Sequence, residues 1–275
     1  MEITLHAEDG YALGATLYGS SKRAMLVMPA TGVPQSYYAK YAAYLAERGF
    51  TVLTFDYRGI GRSRNGDLRS SSARMRDWAL LDAAAAWRFL GERPLLVVGH
   101  SFGGQALGLL PQPERVAAAL LVGAQSGYWR NWPPLGRAWM WPATHVGLPA
   151  LAKLLGYFPG SRLGFGEDLP PGVALEWASW CRHPRYLVGA LGVEHAYARL
   201  RAPLRAYAIS DDPFAPLPAV AALAQLYPNS RWETRRLAPR ELGEKRIGHF
   251  GFFRERFRAS LWRESADWLE GVCGS

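Results

Sequence analysis

Two residue types are scarce in this 275-residue chain, cysteine and lysine. The only cysteines are Cys181 and Cys273, far apart, so neither a disulfide framework nor a zinc-binding spacing can be built from them. A reducing cytoplasm is the simplest setting for such a chain. Lysine occurs only as Lys22, Lys40, Lys153 and Lys245, so the formal charge of +9 is carried almost wholly by arginine. The arginines are scattered with acids between them, as in "RMRD" (74–77) and "RERFR" (254–258), and no block of five or six like charges occurs. That argues against a basic nucleic-acid arm and leaves a solvated surface with a mild preference for anionic partners. Long apolar runs are also missing. None reaches the roughly 18 residues of a membrane span, and "MEITLHAEDG" has neither the basic leader nor the apolar core of a secretory signal.

What is present suffices for a large core. With 49% hydrophobic and 20% charged residues, the composition is that of a soluble globular protein, either one large domain or a domain with a sizeable insertion. "MEITLHA" and "ALGATLYG" flank the turn signal "EDGY" and read as a hairpin. "AMLVMPA" (24–30) is a continuous apolar run, as expected of a strand buried on both faces. Tyr38, Tyr41, Ala42 and Leu45 are spaced for one helical face, with Gly49 as the stop. Strand and helix then alternate: strand 51–57, helix 72–90, strand 94–100, helix 102–110 and strand 116–124. After a break come strand 204–211, a helix near 217–227, strand 231–238 and a last helix over 253–270. Such alternation predicts an α/β fold with a mostly parallel sheet. The break, residues 125–201, holds six of the eleven tryptophans and eight of the nineteen prolines. It reads as an inserted helical cap on one core made of residues 1–124 and 202–275.

Within "VVGHSFGGQA" (97–106), Ser101 lies between two glycines where a buried strand gives way to a helix. Glycine on both sides implies a turn too tight for a Cβ, the setting of a nucleophile elbow. An ordinary glycine turn with an incidental serine is the alternative. A serine nucleophile needs a histidine base oriented by a carboxylate. "AISDDPFAP" ends the strand after the break, and His249 in "RIGHFGFF" is the only histidine after residue 195. The order Ser101, Asp212, His249 is thus available, although "SDDP" can also cap a helix and His249 can be a buried structural residue. Asp56, Arg58 and Ser63 read as a locked turn. His100, His145, His183 and His195 read as structural.

Taken together, "GHSFGG", "DYRGIGRS" (56–63), "DDPFAP" and "MPATGVPQSYYAKYAAYLAERGF" resemble the α/β-hydrolase superfamily along the whole chain, and most closely a bacterial branch of unassigned substrate. The resemblance implies an α/β-hydrolase fold and no metal or organic cofactor. Its usual spacing of acid to proline selects Asp212 over Asp211. It implies an oxyanion hole from the N–H groups of Phe102 and Thr31, where many relatives carry His-Gly and this chain has Pro29 and Ala30. The expected activity is hydrolysis of an ester, thioester or small amide of a hydrophobic small molecule through an acyl-enzyme. Tyr38, Trp132 and Trp180 are the candidate pocket residues. An acyltransferase or aminopeptidase with the same three residues, or a non-catalytic ligand-binding protein of this fold, are the alternatives. Oligomeric state is not legible.

Overall fold

A computed structural model describes residues 1–273, the Cys273 side chain excepted. Eight strands form one sheet in the order β1-β2-β4-β3-β5-β6-β7-β8. They are β1 (Glu2–His6), β2 (Ala12–Tyr18), β3 (Ala24–Met28), β4 (Thr51–Phe55), β5 (Leu95–His100), β6 (Val116–Val122), β7 (Pro203–Ile209) and β8 (Arg231–Leu237). β1 and β2 run antiparallel at one edge, and every pairing from β4 to β8 is parallel. β3, β4 and β5 are buried along their whole length, so their side chains feed apolar cores on both faces of the sheet. Helices on either face seal those cores, and the expected α/β architecture is what the chain adopts.

The helix Ala39–Glu47 buries Tyr41, Ala42 and Leu45 as their spacing requires. Gly49 at φ +83° then turns the chain into β4. The helix expected over 72–90 spans 75–89 and contains a π-turn at Trp78–Ala83. Asp82 lies in this turn with no exposure and accepts from the Arg58 backbone N–H (2.9 Å) and from Arg58 Nε (2.8 Å). Burial pushes the Asp82 carboxyl up to about 6, against the pull of the Arg58 guanidinium. Arg58 also reaches Asp9 in the first hairpin (2.6 Å). Asp56 accepts from Gln35 N (2.6 Å) and Arg62 N (3.0 Å), while Ser63 Oγ donates to Asp56 O (2.7 Å). These residues tie a turn together and stand away from the cavity described below.

Two expected helices are broken up. Residues 102–110 form a four-residue helix, Phe102–Gln105, followed by a 3-10 turn at Leu107–Leu109. The last helix proper is Arg263–Cys273, preceded by 3-10 and π turns. Between β6 and β7 the chain is helical, with main helices Pro134–Pro142, Leu148–Leu155, Pro171–Arg182, Tyr186–Leu191 and Glu194–Arg199. Prolines sit in the first turns at Pro134, Pro149 and Pro171, where their missing N–H costs nothing. The final two helices return to the sheet. Tyr186 Oη donates to Gln105 Oε1 (2.9 Å) and Tyr197 Oη to Gln105 O (2.5 Å), which packs them on the helix after Ser101.

Candidate active site

Ser101 adopts φ +50° and ψ −113°, a conformation side-chain-bearing residues rarely hold. Backbone bonds fix it on both sides: Ser101 N donates to Val122 O (2.9 Å), and Gly104 N and Gln105 N donate back to Ser101 O (3.0 and 3.1 Å). The neighbouring glycines serve close approach. A Cβ on Gly103 would stand 2.0 Å from Met28 O, one on Gly99 2.6 Å from the Gly104 backbone, and one on Gly104 2.6 Å from Ala124 Cβ. Three segments therefore meet at this turn with no room for side chains, and Ser101 is left facing a cavity beyond the carboxyl end of β5.

Past the end of β7, Asp212 Oδ2 lies 2.7 Å from His249 Nδ1. Asp212 Oδ1 accepts from the N–H groups of Phe214 (2.8 Å) and Ala215 (3.1 Å), so the buried carboxylate is held at both oxygens. The adjacent Asp211 has a different partner. Its carboxylate accepts from Ile247 N and Gly248 N (3.0 Å each), bracing the loop that presents His249. Gly123, at φ +57° after β6, runs beneath the pair; a Cβ there would lie 3.1 Å from His249 Nδ1 and 3.2 Å from Asp212 Oδ2. Ser101 and His249 line the same cavity, and among the described residues no hydrogen bond joins them. Such contacts often tighten only when substrate is bound.

The N–H groups of Phe102 and Thr31 have no partner among the described residues, whereas Ala30 N donates to Tyr38 Oη (2.9 Å). Tyr38 in turn contacts His100 Nδ1 (2.8 Å), and His100 Nε2 contacts His249 O (3.0 Å). Since a carbonyl can only accept, His100 carries its proton on Nε2 and accepts the Tyr38 hydroxyl proton on Nδ1. Burial holds the His100 pKa well below the usual 6.5, with His249 nearby adding to the effect. His100 is structural, as expected, and its partners are the loops on both sides of Ser101. No sequence pattern points to those partners, because they lie 62 and 149 positions away.

The cavity holds about 720 Å³, mouth included. Ala30, Thr31, Ser101, Phe214, His249 and Phe250 form its sheet side; Trp132, Trp139, Met140, Thr144, Phe165, Leu169, Trp177 and Cys181 come from the segment between β6 and β7. Of the expected pocket residues, only Trp132 lines it. Tyr38 is wholly buried because its hydroxyl bridges Ala30 and His100. Trp180 is buried in the core, edge-on to Tyr186, three residues along the same helix from Trp177, which does line the cavity. Burial pushes the Cys181 thiol far up, so it is an apolar wall. Among the polar side chains that line it is Gln125, whose Oε1 accepts from Gln105 Nε2 (2.9 Å). No cluster of three metal-ligating side chains occurs among the described residues.

The sheet order defines a class of fold, and comparison with known proteins agrees. The profile of the alpha/beta hydrolase family matches residues 25–262, and the chain belongs to that family of hydrolases. The fold matches an esterase from Exiguobacterium antarcticum (TM-score 0.67, 17% identity, 98% of this chain and 100% of that one). It also matches a bromoperoxidase from Bacillus anthracis (0.62, 13%, 100% of both) and the alpha/beta hydrolase domain-containing protein 10 from mouse (0.65, 14%, 99% of both). At these identities the likeness concerns the fold alone. A search of curated protein sequences found no match.

Proposed function

We propose that the chain is a serine hydrolase that cleaves an ester, thioester or small amide of a hydrophobic small molecule through an acyl-enzyme. The observation that carries this reading is the Asp212–His249 bond of 2.7 Å at the cavity into which the strained turn presents Ser101. His249 Nε2 takes the hydroxyl proton as Ser101 Oγ bonds to the carbonyl carbon. The tetrahedral adduct then expels the alcohol, thiol or amine, which leaves with that proton. Water repeats the sequence: it loses a proton to His249 and bonds to the acyl carbon, and the Oγ–carbon bond breaks as His249 returns that proton to Ser101 Oγ. Asp212 keeps Nδ1 protonated and the ring oriented. The free N–H groups of Phe102 and Thr31 are the donors available for the developing oxyanion.

The apolar walls from Trp132 to Trp177 favour a hydrophobic acyl or alkyl group, and the segment 125–201 acts as the cap that selects it. A fluorophosphonate probe tests the chemistry. It should label Ser101 alone, and Ser101→Ala should abolish labelling and turnover on folded protein. A label on a different serine of active enzyme would refute the assignment.

A further inference from the structure

We propose that the outer face of the segment between β6 and β7 docks on an anionic lipid bilayer. Among the described residues, ten large apolar side chains are exposed, and seven lie between Leu135 and Leu163; Leu135 and Leu154 are 89% and 83% exposed. Single exposed apolar residues are ordinary, whereas such concentration marks an interaction surface. The same stretch lacks acids. Between Glu114 and Glu167 no Asp or Glu occurs, and the exposed charges from 125 onward are Arg130, Arg137, Lys153 and Arg162. None of these four meets a carboxylate among the described residues.

The helices Pro134–Pro142 and Leu148–Leu155, joined through a π-turn, thus combine cations with protruding leucine and tryptophan, the composition of helices that lie in a bilayer interface. Trp139 is partly exposed and also lines the cavity, so the patch reaches its mouth. A second copy docking through the same face would set four unpaired cations against their equivalents. Nucleic acid would satisfy the cations and leave Leu135, Val146 and Leu154 without apolar partners. Anionic headgroups over acyl chains satisfy both sets. The proposal does not depend on Ser101 chemistry.

Co-sedimentation of the full chain with phosphatidylcholine vesicles, with and without phosphatidylglycerol, tests it. Binding is expected on the anionic vesicles only and should weaken with salt. R137Q/K153Q should weaken it on the order of 25-fold, at about fivefold per cation removed. L135S/L154S should weaken it as well. All four positions are exposed, so both variants should keep the wild-type circular dichroism. Absence of binding, equal binding to neutral vesicles, or insensitivity to either variant would overturn the proposal. So would a dimer in sedimentation velocity that L135S/L154S dissociates, which would assign the face to a second copy.

Discussion

Replacing His100 with leucine should destabilise the protein by an amount that depends on pH. The imidazole bridges Tyr38 Oη (2.8 Å) and His249 O (3.0 Å) in a fully buried site. Leucine leaves the Tyr38 hydroxyl proton and the His249 carbonyl without partners. At about 1–3 kcal/mol for each orphaned group, the loss near pH 7.5 is about 4 kcal/mol. Burial lowers the pKa of His100 in the folded state, so below the unfolded-state value of about 6.5 only the unfolded chain gains that proton. The stability contributed by neutral His100 is therefore complete above pH 6.5 and declines as pH falls. Below that pH the loss runs at up to roughly 1.4 kcal/mol per pH unit while His100 stays neutral in the folded state. The variant lacks this titration, so the wild-type advantage should be largest near pH 7.5 and shrink as the pH falls below about 6.5. Urea unfolding of both proteins across that range measures it. A difference that stays constant, or never exceeds about 1 kcal/mol, would refute the inferred network and its tautomer.

Further outcomes separate neighbouring residues. Asp212→Asn should lower kcat by about 10⁴-fold, because the amide favours the wrong His249 tautomer. Asp211→Asn should cost far less turnover, its main effect being stability lost from the Ile247 and Gly248 contacts; a reversed order in steady-state assays would refute the assignment. Trp132→Ala should change the kcat/KM ratio for long against short acyl esters, since the ring lines the cavity while its Nε1 donates to Pro213 O (2.9 Å). Trp180→Ala should leave that ratio alone and lower the thermal midpoint, at about 3–5 kcal/mol for a buried tryptophan. Gly103→Ala should cost on the order of 3 kcal/mol or more, because its methyl would stand 2.0 Å from Met28 O; a wild-type melting curve would show that the three-segment contact at Ser101 is looser than described.

The sequence by itself determined the α/β order of elements, the chemical candidates and their order along the chain. Those signals are local. A two-residue or 3.6-residue hydrophobic period is written in adjacent positions, and the glycines around Ser101 stand in one short motif, although the contacts that demand them come from the turn itself and from the ends of β3 and β6. The acid-to-proline spacing that the family resemblance implies selects Asp212, four residues before Pro216, over Asp211, and the two do take different partners. Tertiary structure decided what depends on distant segments meeting. Trp177 and Trp180 are alike in sequence, yet a helix face turns one toward the cavity and buries the other against Tyr186. Tyr38 carried its helical period correctly, but its hydroxyl met His100 and Ala30, so it became a strut and left the pocket wall. The π-turns at Trp78–Ala83 and Arg258–Trp262 were equally invisible, because one extra residue in a turn hardly alters a hydrophobic period. Periodicity records which face is apolar; which neighbour covers that face is settled only when the whole chain packs.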